Sequence, residues 1–293
     1  MNHREEKIVY LQGGLGNQLF QYALGLYLQS KTVCAVRFST AFLGVKARHR
    51  TPRSLALGFL RQPENFIQPS SVRSYFQFYW MHLAHKFKLD RSLRIGWDSA
   101  DESSGPLDFT RKHFIGYWQN LDFLSEMQPQ ITKSLKSNFQ LSAEAQAIQR
   151  QIRSTTHSVS LHVRRGDYFT NPLAAKYYLP LGVDYYKASF EKISERHPGG
   201  TVFVFSDDLA WCRQNLSFLD RKIFVELKSS GPMDEIVLMS ECESNIIANS
   251  SFSWWGAYLN EHPERTVITP QRWFHDPTAR PPRIPEGWMT VSN

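Results

Sequence analysis

The feature that most constrains this chain is the regular alternation of its second half. From Ser158 onward, short apolar runs follow polar-faced helical segments without interruption: SVSLHV (158–163), a helix over 184–197, TVFVFS (201–206), a helix over 208–216, KIFVEL (222–227), a helix over 232–242, NIIAN (245–249), a helix over 252–262 and TVITP (266–270). Strands that alternate with helices build right-handed βαβ units and a parallel sheet. The remainder holds Pro270, Pro277, Pro281, Pro282 and Pro285. Proline lacks the amide donor of a helix interior, so this tail is extended.

The first half opens the same way, with KIVYLQ (7–12) as a strand, a glycine turn, and Leu19, Tyr22 and Leu26 at helical spacing, for which Asn17 is the predicted N-cap. Residues 46–53 read as a basic loop and 98–108 as an acidic one. Residues 79–95 read as a basic amphipathic helix whose apolar side packs on a core, in preference to a membrane surface. HFIGYWQ (113–119) is another strand, and 141–153 a helix capped by Ser142. A polar break follows, which places the domain boundary near 155: an N-terminal domain over 1–155 and a C-terminal one over 156–293.

In a parallel sheet, ligands gather at the carboxyl ends of the strands. Four such ends carry candidate residues. Gly13 to Gln18 places Gly14 and Gly16 between strand and helix, where glycine permits tight turns and a helix start can hold an anion. The spacing is neither the dinucleotide fingerprint nor a Walker phosphate loop. His162-Val163-Arg164-Arg165-Gly166-Asp167 places two guanidinium groups at a strand end, where they can match phosphate oxygens. The alternative is a structural Arg–Asp pair, and Asp167 serves either as an orienting acceptor or as a base. His162, inside its strand, reads as a core histidine. Ser206, Asp207 and Asp208 read equally as nucleotide hydrogen-bond acceptors and as helix caps. Asn249, Ser250, Ser251 and Phe252 open a helix whose hydroxyls and free N–H groups suit an anion, with capping as the alternative and core packing for Trp254 and Trp255.

Composition narrows the chemistry. The formal net charge of +7 suits a phosphate-bearing partner. No helix-turn-helix, RNP or zinc-finger pattern supports nucleic acid. Cys34, Cys212 and Cys242 include no CxxC pair and read as reduced core thiols. No Asp-x-Asp or His-Glu-x-x-His occurs, so no metal site is expected. The amino terminus lacks an apolar signal core and no run approaches a membrane span, so a cytoplasmic, bacterial location with at most peripheral membrane contact is expected.

GGLGNQLFQYALG, HVRRGDY, VFSDD and NSSFSWWGAYLN, in this order, resemble the α1,2-fucosyltransferases of glycosyltransferase family eleven. The likeness runs from about Lys7 to Phe274. It implies an α/β fold of the GT-B type, two Rossmann-like domains facing across a cleft, with a tail that crosses back to the first domain. It implies GDP-fucose as co-substrate, no cofactor, and inversion onto a galactoside hydroxyl, the 2-hydroxyl of β-galactose. Carried onto this sequence, Arg164, Arg165 and Asp167 are the catalytic candidates. Gly14, Gly16, Asn17, Gln18, His162, Ser206, Asp207, Asp208, Asn249, Ser250, Ser251 and Phe252 are the donor-binding ones. A non-fucosyl or inactive sugar-binding protein of the same fold is the alternative.

Overall fold

The structure is a computed structural model that describes residues 5–46, 52–60, 63–98, 107–279 and 281–293. Most of both expected charged loops, 47–51 and 99–106, lies outside the described residues. The chain forms two compact units, Met1–Gln140 and Leu141–Asn293.

The first unit is a parallel sheet in the order β3-β2-β1-β5-β4. Its strands are β1 (Glu6–Tyr10), β2 (Ala35–Ser39), β3 (Phe66–Ile67), β4 (Ile95–Trp97) and β5 (His113–Ile115). Helix α1 (Leu15–Lys31) follows β1 and buries Leu19, Phe20, Ala23, Leu24 and Leu28. The helix begins two residues before the expected cap. Gly14 is its N-cap and Asn17 lies inside its first turn, because Gly13 at φ +78° already turns the chain out of β1.

Helix α2 spans Ser71–Lys86, not 79–95. Ser70 starts it by accepting from the Arg73 amide at 3.5 Å, and Lys88 at φ +56° ends it. Phe78, Met81 and Ala84 seat it against Tyr10 and Phe42. Helix α3 (Leu121–Asn138) buries Phe123, Leu124, Met127, Ile131 and Leu135 at helical spacing despite Pro129 in its interior.

The division between units falls at 140/141 rather than near 155. Helix α4 (Ala143–Arg153), capped by Ser142 as expected, belongs to the second unit. Its Arg153 forms a two-toothed pair with Glu241 (2.8 and 3.0 Å) and Gln149 donates to the same carboxylate at 3.0 Å. The Ser142 amide donates to Asp234 at 2.9 Å.

The second sheet is also parallel, in the order β11-β10-β9-β6-β7-β8, with β6 (Ser158–Val163), β7 (Thr201–Ser206), β8 (Lys222–Phe224), β9 (Ser244–Ile246), β10 (Thr266–Pro270) and β11 (Met289–Val291). Between them run α5 (Gly166–Thr170), α6 (Pro172–Tyr177), α7 (Val183–Arg196), α8 (Leu209–Asn215), α9 (Pro232–Glu241) and α10 (Ser251–Tyr258). Every residue of β6 is buried, as in a strand covered on both faces. Val159, Leu161 and Val163 join Tyr185, Tyr186 and Ile193 of α7 in one core. On β6, Ser160 alternates with these and accepts from the Asn245 amide at 2.7 Å, while Asn260 donates to Asn245 at 2.8 Å. Trp254 and Trp255, adjacent on α10, are both buried, because α10 is covered on more than one side. Trp254 stacks on Tyr258 and meets Trp288 of the tail. A Cβ at Gly256 would lie 2.7 Å from Met239 of α9. The tail is extended, and its end pairs with β10 as the edge strand β11 of this sheet.

Candidate active site

β6 sits centrally. The chain adds β7 and β8 on one side and then β9, β10 and β11 on the other. The order reverses between β6 and β9, and the crevice beyond the carboxyl ends at such a switch point is where doubly wound sheets bind ligands. Three of the four expected segments meet there, after β6, β7 and β9.

The two arginines after β6 play different parts. Arg164 is engaged at both terminal nitrogens, by Asp167 Oδ1 at 2.6 Å and Asp207 Oδ2 at 2.9 Å. Burial works against its charge, but Asp207 and Asp167 outweigh it and raise its pKa. Arg164 thus forms an Arg–Asp pairing with both Asp167 and Asp207 as acceptors.

The Arg165 side chain donates through Nε, to Asp208 Oδ2 at 3.2 Å. Its guanidinium carbon lies 4.1 Å from the Phe169 ring centre and 4.3 Å from that of Trp211, a cation held between two aromatic faces. Among the described residues nothing takes a hydrogen bond from its two terminal nitrogens. Stacking and the Nε bond fix the plane of the fork and leave its open end unused.

Asp207 and Asp208 organise this arrangement. Asp207 Oδ1 accepts from the Arg165 amide at 2.8 Å, tying the β6 and β7 ends together. A Cβ on Gly166 would stand 2.5 Å from Asp207 Oδ2, so glycine is needed for this close approach. Asp208 caps α8 by accepting from the Trp211 amide at 3.0 Å, and its own amide donates to Ser206 at 2.9 Å. The capping alternative therefore holds for Asp208.

The segment after β9 divides likewise. Asn249 is fully enclosed, and its amide donates to the Leu179 and Trp273 carbonyls at 2.7 and 2.9 Å. These bonds hold the loop in place, while Asn249 Oδ1 is buried with no hydrogen-bond partner among the described residues. Ser250 caps α10 by accepting from the Phe252 amide, and Ser251 and Phe252 are half-buried at the helix start. His162 is buried, 5.5 Å from the Phe252 ring, with Nδ1 unpartnered among the described residues. Burial and then the Arg164 charge push its pKa down to about 3, so the ring is neutral at ordinary pH.

The first unit holds the remaining candidates. Gln18 is fully buried. It donates to the Gly13 and Ser54 carbonyls at 2.9 and 3.0 Å and accepts from the Ala56 amide at 2.9 Å. These three bonds tie it to the loop on either side. Asn17 is half-buried and accepts from Gln119 at 3.1 Å, Gly14 is exposed, and Gly16 is buried.

Sequence reasoning passed over Glu235, in the first turn of α9. Burial, with the Asp207 charge, pushes its carboxyl up to about 7; Arg164 pulls it down and Asp234 raises it again. An acidic residue at a helix start looks ordinary, and only the folded sheet brings it near Asp207. Because its folded pKa is raised, the neutral form stabilises the fold. That contribution is complete below about pH 4.5 and is lost between pH 4.5 and 7, at most about 3 kcal/mol. Glu235→Gln is expected to unfold at higher temperature than the parent at pH 8, with the gap closing towards pH 5. A gap independent of pH removes Glu235 as the titrating group.

Burial also raises the Cys212 thiol to about 11 and the Cys242 thiol well above its usual value, so neither supplies a thiolate. Among the described residues no group of three His, Cys, Asp or Glu has the placement to hold a metal, and no helix is long and apolar enough to cross a membrane.

Comparison with known proteins bears on family and fold. An α-1,2-colitosyltransferase of Escherichia coli is 32% identical over 97% of this chain and 98% of its own. The galactoside 2-α-L-fucosyltransferase Sec1 of Mus musculus is 30% identical over 58% of this chain and half of its own. Among solved structures, NodZ α-1,6-fucosyltransferase aligns over 87% of this chain and 92% of its own at TM-score 0.50 and 13% identity. A family 9 glycosyl transferase of Veillonella parvula aligns over all of this chain and 88% of its own at TM-score 0.50 and 11% identity. These two likenesses carry the fold, two parallel α/β units of the GT-B type. The sequence model of Glycosyl transferase family 11 matches residues 102–288, and the chain belongs to that family, whose members transfer sugars from activated nucleotide donors.

Proposed function

We propose that this glycosyltransferase moves L-fucose from GDP-fucose onto a galactoside hydroxyl, with inversion and without a metal. The observation that carries the reading is the Arg165 fork, fixed between Phe169 and Trp211 with no hydrogen-bond partner for its terminal nitrogens among the described residues. In the reaction the acceptor hydroxyl oxygen forms a bond to the anomeric carbon. The bond from that carbon to the β-phosphate oxygen breaks, and its electron pair stays on GDP. Charge developing there needs donors already in place. Arg165 supplies them, Arg164 and Asp207 hold Arg165's backbone in register, and the start of α10 at Ser250 and Ser251 adds amide donors.

Asp167, already bonded to Arg164 at 2.6 Å, is a strong acceptor and a poor base. Glu235, raised to about 7, has the electronics of a group that takes the acceptor proton late in the reaction. The full-length likeness to a colitosyltransferase favours colitose as a second donor sugar.

The test presents the protein with lactose and, in separate reactions, GDP-fucose, GDP-mannose, UDP-galactose, UDP-GlcNAc and nucleotide-activated colitose, all with EDTA, and reads nucleotide release and product mass. Fucosyl product from GDP-fucose alone is the expected result. Colitosyl product alone moves the assignment to colitose. Turnover abolished by EDTA and restored by Mn²⁺ overturns the metal-free reading.

A further inference from the structure

Helix α2 is apolar on two sides. Phe78, Met81 and Ala84 face the core. The other side carries Val72, Tyr75, Phe76, Tyr79, Trp80 and Leu83, at the i, i+3, i+4, i+7, i+8, i+11 spacing of one helical face, and Phe87 continues it at the helix end. These residues are in the open: Val72 is 80% exposed, Phe76 72%, Trp80 50% and Phe87 63%. The rings are ordered along the helix, with Phe76 parallel to Trp80 at 6.5 Å and Tyr75 stacked near Tyr79 at 6.3 Å. A water-facing helix ordinarily turns polar residues outward, and a contiguous apolar patch of this kind marks a contact surface.

Along this stretch of sequence the charge is almost all of one sign. Between Ser71 and Ile95 the only acid is Asp90, and its carboxylate is occupied by His85 at 2.9 Å and Trp97 at 2.7 Å. Arg73, Lys86, Lys88 and Arg91 are exposed and have no acidic partner among the described residues. A second copy seated by two-fold symmetry would place these cations near their own duplicates. A surface of lipid phosphates neutralises them. Tyr and Trp suit the boundary between headgroups and acyl chains, where one end of the ring is wet.

We propose that this face of α2 lies in the headgroup boundary of an anionic phospholipid bilayer, with Phe76, Trp80, Leu83 and Phe87 inserted and Arg73, Lys86, Lys88 and Arg91 against lipid phosphates. Binding of this kind combines buried apolar area with attraction to anionic lipid. It places the protein on a membrane without crossing it.

The test is co-sedimentation of the full chain with sucrose-loaded vesicles of phosphatidylglycerol and phosphatidylcholine in equal parts, and with phosphatidylcholine alone, at low and high salt. The expected result is partition onto the anionic vesicles only, weakened by salt. Lys86→Ala with Lys88→Ala lowers the partition coefficient roughly thirtyfold. Phe76→Ser, Trp80→Ser and Leu83→Ser together lower it by an order of magnitude or more. Circular dichroism and thermal melts establish that each variant is folded; if the triple serine variant is not, Trp80→Gln alone carries the comparison. Failure of the parent to bind anionic vesicles, or equal binding by the apolar variants, overturns the proposal. So does a concentration-dependent dimer that the serine substitutions abolish while vesicles are ignored, which reassigns the face to a second copy.

Discussion

For the proposed reaction, Arg165→Ala is expected to lower sugar transfer by roughly 10²–10³-fold, the effect of removing one charge-stabilising donor from an active site. The loss falls on kcat more than on KM, because charge on the leaving phosphate grows as the sugar bond breaks. Stability changes little by comparison. Asp208 keeps its capping bond to the Trp211 amide, and Arg164, bridging Asp167 and Asp207, still holds the β6 and β7 ends. Arg165→Lys sharpens the test. It keeps the charge but loses the planar fork that Phe169 and Trp211 enclose, so it recovers only a small part of the rate. Single-turnover measurements with saturating donor separate the two variants. Activity within about threefold of the parent in Arg165→Ala would place the stabilising charge elsewhere.

Trp255→Ala is expected to destabilise the second unit by about 3–5 kcal/mol, as deletion of a fully buried large aromatic does. Trp255 is 0% exposed and meets Trp254 and Tyr258 edge-on, with ring centres 5.4 and 5.5 Å away. Its neighbour Gly256 lets α10 approach α9 closely enough that Met239 would obstruct a Cβ, which leaves the helices little room to collapse into the cavity. Urea unfolding followed by tryptophan fluorescence reads the change as a lower midpoint at similar slope. A loss below about 1 kcal/mol would show that the site relaxes freely.

How much of this was legible differs between the halves. In the second, β6, β7, β10 and the helices between lay close to their expected positions, because parallel strands covered on both faces are continuous apolar runs. KIFVEL and NIIAN gave strands shorter than their apolar runs, since pairing ends at Phe224 and Ile246. The first half was poorly legible. β3 and β4 have only two and three residues, and α3 carries Pro129, which reads as a breaker although the helix continues around it. The basic stretch over 79–95 combined the end of α2 with the turn after Lys88, and its apolar residues pointed two ways, which a single-face reading cannot separate.

At the site, the strand ends and the Arg–Asp chemistry were readable in sequence. The division of labour was not. Whether a guanidinium is spent on neighbours or left open depends on residues such as Asp207, more than 40 positions away. Gln18 and Asn249 look like ligand-binding polar groups in sequence, and the bonds each makes to distant loop carbonyls become visible only in the fold. Glu235 gave no signal because its neighbours come from β6 and β7.

The central place of β6 also sets a timetable for folding. Val159 pairs with Val202 on one side and with Ser244 on the other, the second partner lying 85 residues along the chain. Such distant pairings are costly to close and slow to form. During synthesis the arginine-bearing strand leaves the ribosome well before the strand that completes its crevice. Until β9 arrives, one edge of β6 has open amides and carbonyls, and an unpaired strand edge of that kind invites pairing with other chains. The sheet order that gathers the site at one switch point thus also makes the interval before β9 emerges the stage at which the newly made chain most needs a chaperone.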